Sequence, residues 1–248
     1  MMERSSLCCP HCGGIESVTS VVCHRCGKII RKVADTGRVP AFLLREDATV
    51  KILQVVYTAF FLLALMMTIM SGGTPLEALW PGEAFNESIV RLGSMYGPML
   101  IANGEWYRLL TATFLHAGLL HLLFNSMALG AVGPETEKQV GRWRFLVTYL
   151  VSGVAANAVS LFWHGGAIHQ VGASGAICGL IGALYSIARM RGGVYDQIVR
   201  RIVTRWIVMT VLFGLLVPFV DNAAHISGMI VGALLARLLG LKKSAWVV

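Results

Sequence analysis

Polar side chains that could do chemistry fall within apolar stretches of the sequence, where such groups are costly and therefore candidates for function. Ser174 stands in Gly172-Ala173-Ser174-Gly175, where a loop ends and an apolar run begins. A helix that starts here leaves backbone N–H groups that can face a developing negative charge. His121 and Asn125 are spaced i and i+4, so they share one helical face. His225 precedes a G-x3-G pair, which allows a neighbouring helix to pack closely.

These residue types favour nucleophilic catalysis. Ser174 would be the nucleophile and His225 its general base. His121 and Asn125 would donate hydrogen bonds to an oxyanion, and Gly172 would support them by allowing close backbone approach. The alternative is a structural serine that packs or bonds back to its own backbone, as many serines in membrane helices do.

An intramembrane metal site made by His116, His121 and His225 is another interpretation of the same side chains. Five residues turn a helix by about 500°, which leaves the first two histidines about 140° apart around its axis. A metalloprotease signature such as H-E-x-x-H is absent from the sequence. The pattern therefore disfavours a metal in the membrane. Asp221, four residues before His225, could complete a triad, but its place at the start of a helix favours capping.

A second group of chemically active residues lies near the N-terminus. Cys9 and Cys12 form one C-x2-C pair, and Cys23 and Cys26 form another, each followed by glycine. Four thiolates at this spacing predict a tetrahedral, structural zinc that supplies most of the folding free energy of a short segment. Disulfides are the alternative and are disfavoured in a reducing compartment. His11 and His24 could substitute as ligands, but four cysteines are the simpler set.

The remaining chain must hold these groups in a membrane. The 248 residues are 56% hydrophobic and 14% charged, which is typical of a polytopic membrane protein. About 20 apolar residues span a bilayer, and we predict an all-α bundle of six transmembrane helices. The predicted domains are a zinc-ribbon-like head at 1–30, a basic linker at 31–49, a membrane domain at 50–241 and a tail at 242–248. The predicted spans are 50–71, 117–132, 145–163, 174–189, 204–220 and 222–239.

The positive charges predict the orientation. Of 21 Lys and Arg residues, all but Arg91 and Arg108 fall on one face of the predicted bundle. The positive-inside rule then makes both termini cytoplasmic, as in a multi-pass protein of a bacterial inner or plasma membrane. The net charge of +8 is explained by this topology, so the sequence does not favour a nucleic-acid partner. The loop at 72–116 is too apolar to be fully solvated and is expected to lie partly in the membrane interface.

At this point the sequence resembles the rhomboid family of intramembrane serine proteases. The similarity covers residues 104–232, about half the chain. Each piece is weak by itself, but their order along the predicted spans is specific. The pieces are Gly104-Glu-Trp-Tyr-Arg-Leu-Leu-Thr111, His116-x4-His121-x3-Asn125, Gly141-Arg-Trp-Arg-Phe145, Tyr149-x2-Ser152-Gly153, Gly172-Ala-Ser-Gly175 and Ala224-His225-x2-Gly228-x3-Gly232.

The resemblance implies a serine endopeptidase that hydrolyses peptide bonds in or near transmembrane segments of membrane proteins. Ser174 and His225 would form a dyad with no required acid and no catalytic cofactor. His121, Asn125 and the backbone N–H of Ser174 would form the oxyanion hole. Tyr107 replaces a tryptophan of the family's Trp-Arg pair, and Cys178 stands where an aromatic ring often packs on the histidine.

Two other functions are less well supported. A non-catalytic rhomboid-like binder or chaperone would use the same fold to hold transmembrane clients, but such proteins usually lose one of the catalytic side chains. A transporter would be expected to show inverted repeats, which are not evident. The expected partners are the lipid bilayer and transmembrane substrates, and the head is a candidate site for a cytoplasmic protein partner.

Overall fold

The computed structural model describes residues 6–9, 12–17, 23, 26–27, 47–79, 82–166, 169–217 and 220–239. The chain divides into two units, Met1–Ala48 and Thr49–Val248. Predictions that concern His11, His24, most of the linker at 31–49 and the tail at 242–248 lie outside the described residues.

The first unit contains a small antiparallel hairpin. Strand β1 (Ser6–Cys8) pairs with β2 (Ile15–Ser17). Gly13 and Gly27 follow the second cysteine of each pair and have positive φ angles of 68° and 71°. Glycine adopts this left-handed conformation without a steric penalty, so each pair can close into a tight turn. In these turns Gly13 N donates to Cys9 O, and Gly27 N donates to Cys23 O.

The second unit is mostly helical. Between its long helices, the described part contains short 3-10 helices at Pro75–Ala78 and Ala112–Phe114 and a two-stranded pairing of β3 (Met95–Tyr96) with β4 (His169–Gln170). The α-helices are α1 (Ala48–Met70), α2 (Glu83–Arg91), α3 (Gly97–Asn103), α4 (Arg108–Thr111), α5 (Leu119–Val140), α6 (Arg142–Trp163), α7 (Ser174–Arg191), α8 (Val194–Leu216) and α9 (Asn222–Leu238).

Each predicted span falls on one long helix of the described chain. Helices α1 and α6 are long and apolar enough to cross a membrane alone. Helix α5, together with the segment Arg108–Phe114, forms a third candidate that is bent by 87° at a short break. Helix α9 is apolar but shorter. The structure is therefore a mostly helical membrane protein with several candidate spans.

Two helices extend eight or more residues beyond the predicted bounds of their spans. We expected the second span to end at residue 132, before Gly133 and Pro134, but α5 continues to Val140 despite the missing proline N–H. The extension carries Glu137, which is buried and accepts hydrogen bonds from Thr49 Oγ1 at 2.6 Å and from the Thr49 and Val50 amides. A carboxylate at the start of α1 satisfies N–H groups that no intrahelical carbonyl reaches. Helix α8 likewise begins ten residues before the predicted start of its span.

Helix α7 lies at the centre of the second unit, and most of its residues are buried. At the glycines of the two helices, the backbone of α7 closely approaches the backbone of α9. A Cβ added at Gly228 would lie 2.2 Å from Gly175 O, and one at Gly232 would lie 1.8 Å from Gly179 O. The absence of side chains at these positions therefore brings the two helix backbones together.

This close approach predicts that Gly232→Ala destabilises the membrane domain by about 1–3 kcal/mol, the usual cost of overpacking a core. The clashing atom is a backbone carbonyl oxygen, so the helices themselves must separate. Gly130→Ala on α5 is the matched control, because Gly130 is exposed and its nearest neighbour would be 3.4 Å away. Thermal unfolding in detergent micelles measures the difference. Equal stability of the two variants would contradict the helix contact.

Candidate active site

Ser174 is the first residue of α7, and its side chain is partly exposed. The preceding Gly172 has a φ angle of +133° and donates its N–H to Ala112 O at 2.9 Å. This bond ties the loop to the 3-10 helix at Ala112–Phe114. The N–H of Ser174 is among the first in its helix, where amides have no intrahelical acceptor. The hydroxyl thus stands beside backbone donors and the positive end of a helix dipole.

His225 is the fourth residue of α9, and 8% of its surface is exposed. The first turns of α7 and α9 adjoin: a Cβ on Gly175 would lie 3.7 Å from Ala224 O. Ser174 and His225 are the chain neighbours of these two contacting residues. Within the described part of the chain, no hydrogen bond joins the two side chains, and His225 Nδ1 has no hydrogen-bond partner. No other side chain therefore holds the imidazole by a hydrogen bond at Nδ1 in the described part of the chain.

His121 approaches the same point from α5. A Cβ added at Gly172 would lie 2.9 Å from His121 Nε2 and 3.8 Å from Ser174 Oγ. The lack of a side chain at Gly172 thus leaves room for the His121 ring next to the serine. The Gly172 N–H donates to Ala112 O, so this amide is already bonded within the fold. Gly172 supports the site by leaving space for the His121 ring.

Asn125 is buried on the same face of α5 as His121. Its Nδ2 donates to His121 O at 2.9 Å, a bond within the helix. Donation from this amide to an oxyanion would therefore require a change of rotamer or use of its second N–H. His116, the other histidine of this region, packs its ring 5.3 Å from the His121 ring and 5.0 Å from Tyr57. These two ring contacts place His116 next to His121. No contact between His116 and Ser174 is among those of the described residues.

Asp221 caps α9, as expected. Its Oδ1 accepts from Ala224 N at 3.1 Å, and its backbone carbonyl accepts from His225 N. In the described residues no hydrogen bond links its carboxylate to the His225 ring, so the structure does not form the alternative triad. The carboxylate instead contacts Ser160 on α6 and His164, the residue that directly follows α6. These two partners of Asp221 have no signal in the sequence, since only the tertiary fold brings α6 beside α9.

The four cysteines of the head converge on one point. Their sulfur atoms all lie within 4.8 Å of one another. Cys9 Sγ is 3.7 Å from Cys26 Sγ, and Cys12 Sγ is 3.6 Å from Cys23 Sγ, distances too long for a disulfide. Tetrahedral zinc with Zn–S bonds of about 2.3 Å has S···S edges of about 3.8 Å. The donor set and its spacing therefore fit a metal ion.

Comparison with known families decides between the possible classes of membrane protein. The family described as Rhomboid domain matches residues 103–242, more than half of the chain. The chain belongs to the rhomboid family. The matched range contains His121, Asn125, Ser174 and His225, whereas the four-cysteine head lies before it.

Similar rhomboid proteins come from bacteria and plants. "Rhomboid protease GluP" of Bacillus subtilis (strain 168) is 37% identical over 163 residues, which are 66% of this chain and 32% of that protein. "Putative rhomboid protease YdcA" of the same organism is 36% identical over 143 residues, 58% of this chain and 72% of its own length. "RHOMBOID-like protein 4" of Arabidopsis thaliana is 36% identical over 149 residues, which are 60% of this chain and 38% of that protein. The chain thus matches about a third of the length of two of these three relatives.

Two residues depart from the rhomboid pattern. Tyr107, in place of tryptophan, is exposed, and its ring lies 5.5 Å from the guanidinium carbon of Arg108. Arg108 is buried and donates to Glu105 Oε2 at 2.6 Å and to the carbonyls of Val90 and Ser94. The arginine therefore anchors the loop at 72–116 through Glu105 and two backbone carbonyls, and the Tyr107 hydroxyl donates to the same Glu105 Oε2 at 3.0 Å. Cys178, one turn after Ser174, is buried within α7.

Arg108 also affects the pKa values of two titratable groups near it, Glu105 and His169. Hydrogen bonds from Asn103, Arg108 and Tyr107 lower the pKa of the Glu105 carboxyl. Burial, together with the nearby Arg108 charge, lowers the pKa of His169. A neutral His169 retains a lone pair for its 2.8 Å hydrogen bond with Ser94 Oγ. This bond and the β3–β4 pairing attach the loop before Ser174 to the loop at 72–116.

Proposed function

We propose that this rhomboid protein is an intramembrane serine endopeptidase that hydrolyses peptide bonds in or near transmembrane segments of membrane proteins. The observation that carries the proposal is the adjoining first turns of α7 and α9, with Ser174 on one and His225 on the other. His121 lies beside them. Cleavage of a transmembrane reporter by the purified protein in liposomes tests the activity, and labelling by a serine-directed fluorophosphonate tests the nucleophile.

In the proposed mechanism, His225 accepts the proton of Ser174 Oγ as the oxygen attacks the scissile carbonyl. The negative charge that develops on the carbonyl oxygen is stabilised by the Ser174 N–H, the N-terminus of α7 and His121. His225 then protonates the leaving amine. Water activated by His225 hydrolyses the acyl-enzyme and regenerates Ser174. No metal or other cofactor takes part in these steps.

The membrane constrains the substrate as well as the enzyme. A transmembrane helix must unwind locally before its peptide bond can reach Ser174, which exposes backbone groups that lipid does not satisfy. Such unwinding requires a water-accessible depression lined by protein. The partly exposed Ser174 at a helix start is suited to this requirement, because water that reaches it can also serve as the second substrate.

We further propose six membrane spans, formed by α1 and α5–α9, with both termini in the cytoplasm. The coincidence of these helices with the apolar stretches supports the number, and the distribution of Lys and Arg supports the orientation. In this arrangement the membrane domain is 50–241, and the linker at 31–49 and the tail at 242–248 are cytoplasmic. Helices α7 and α9 are short for a lipid-exposed span, and the burial of α7 supports its interior position.

For the head at 1–30 we propose a structural zinc bound by Cys9, Cys12, Cys23 and Cys26. The two S···S distances close to the edge of a tetrahedral zinc site support this assignment. Four thiolates leave no open position for water, so the metal would hold the fold rather than act on a substrate. A head that is held rigid in this way would present a surface for a cytoplasmic protein partner.

Asn125→Ala is expected to lower the cleavage rate by about 10²-fold if Asn125 supplies one oxyanion donor. An oxyanion donor bonds to charge that develops only in the transition state, so the loss should fall on the rate constant rather than on substrate binding. Because His121 can compensate, His121→Ala and the double variant are measured together with it. A rate that is unchanged in both Asn125→Ala and the double variant would remove these residues from the mechanism.

A further inference from the structure

A polar cluster outside the dyad joins the two segments that carry it. Gln170 lies on β4, four residues before Ser174, and Asp221 lies at the start of α9, four residues before His225. Between them stands Ser160 of α6, which is fully buried. Neither residue of the dyad belongs to this cluster, so its contacts are not accounted for by the chemistry described above.

Ser160 Oγ contacts both flanking side chains. It lies 2.5 Å from Gln170 Oε1 and also forms a hydrogen bond with Asp221 Oδ2. His164, which caps the C-terminal end of α6, places its Nε2 3.5 Å from the same carboxylate oxygen. The other carboxylate oxygen of Asp221 caps α9 through Ala224 N. Asp221 is therefore held at both oxygens, and Ser160 is the link between it and Gln170.

The number of available protons decides which group donates and which accepts along this link. A serine hydroxyl has one proton and cannot donate it to an amide oxygen and a carboxylate at once. Rotating the Gln170 amide by 180° makes Nε2 the donor to Ser160 Oγ, which then donates its own proton to Asp221. In this order the three groups form a continuous chain of donors and acceptors that runs from Gln170 to Asp221.

Both ends of the link are attached to rigid structure. Gln170 pairs with Met95 in the β3–β4 register, and Asp221 fixes the first turn of α9. A change in the length of the link would therefore shift the loop before Ser174 relative to the helix start that carries His225. A displacement of about 1 Å between reacting groups can cost 10²-fold in rate.

We propose that Ser160 is a positioning residue that sets the spacing of Ser174 and His225 through the chain Gln170–Ser160–Asp221. The proposal rests on the proposed protease function. Ser160 touches no substrate, so its removal lowers kcat rather than raising KM. Ser160→Ala leaves Gln170 and Asp221 without their common partner and is expected to lower kcat by about 10- to 100-fold. Ser186→Ala, a change at another buried serine whose Oγ has no hydrogen-bond partner in the described chain, is the matched control.

Reversing the direction of the link separates positioning from simple loss of stability. Gln170→Glu places a second carboxylate opposite Asp221, and the single Ser160 proton cannot serve both, so kcat falls about 10-fold or more. Asp221→Asn alone is tolerated, because its amide can donate to Ser160 while its oxygen keeps the cap. In Q170E/D221N the amide at 221 donates to Ser160, which donates to the carboxylate at 170. This double variant should return to within about threefold of D221N.

The experiment measures kcat and KM for a transmembrane reporter in liposomes, using the full-length protein, these variants and Ser174→Ala. Recovery of kcat in Q170E/D221N, with Ser186→Ala close to wild type, supports the link. The positioning role is overturned if Ser160→Ala and Q170E cleave like the control, or if the double variant is no better than Q170E. A wild type that neither cleaves the reporter nor is labelled by a fluorophosphonate overturns the protease function, and the positioning role with it.

Discussion

Ser174→Ala is expected to reduce cleavage of a transmembrane reporter by about 10⁴- to 10⁶-fold, to the background rate. The substitution removes the only proposed nucleophile and leaves the helix start, the loop before it and His121 in place. Alanine fits where serine stood, so the membrane domain should keep its stability. The measurement is the initial rate of product formation by purified protein in liposomes, paired with thermal unfolding of the same sample.

His225→Ala should cause a loss of the same order, and the double variant should be no slower than either single one. A nucleophile and its general base act as one unit, so removing the second adds nothing once the first is gone. Ser186→Ala is the control for loss of a buried hydroxyl from the same helix. Retention of wild-type cleavage by Ser174→Ala would disprove the assignment of the dyad, and additive losses would show that the two residues act separately.

The second large effect concerns the metal of the head. Structural zinc in small four-ligand domains contributes about 10–16 kcal/mol of apparent binding free energy, nearly all of their folding free energy. Purified protein is expected to contain about one zinc per chain, and chelation should unfold residues 6–27. The readout is metal content together with alkylation of Cys9, Cys12, Cys23 and Cys26 before and after chelation.

The same experiment separates a structural metal from a catalytic one. Four thiolates fill the coordination of the ion, so reporter cleavage should persist after chelation and in a protein that lacks the head. Cys178→Ser is the matched control, because this cysteine is buried in α7 and should not change the zinc content. Absence of zinc from the wild type would contradict the four-cysteine site. A metal requirement that persisted without the head would indicate a second metal in the membrane domain.

The long helices were predictable because apolar length is a strong signal. Each predicted span lies on one of them, and the rhomboid resemblance drawn from separate short motifs is confirmed by the family match. Boundaries were less accurate. The span predicted at 117–132 ends before Gly133 and Pro134, whereas α5 continues through both to Val140, and its buried Glu137 bonds to the start of α1. Local propensity could not anticipate a partner 88 residues away.

Parts of the candidate site were also predictable from residue type and spacing. Ser174 at a helix start, His121 and Asn125 on one face, and the capping role of Asp221 are all local patterns, and the structure contains each of them. The roles of Ser174 and His225 in catalysis stay predictions. The partners of the site were not predictable: the Gly172 amide bound to Ala112 O has no signal in the sequence around Gly172.

The sequence by itself determined which segments are apolar, which residues can react, and how closely helices can approach at the glycines of α7 and α9. Those properties are local, because they depend on composition and on spacing along one helix. Only the tertiary structure decided that the first turns of α7 and α9, which carry Ser174 and His225, adjoin. It also placed His121 in the space left by Gly172, and Ser160 between Gln170 and Asp221. These contacts join residues far apart in the chain, and their geometry is fixed by how α5, α6 and α9 pack around α7.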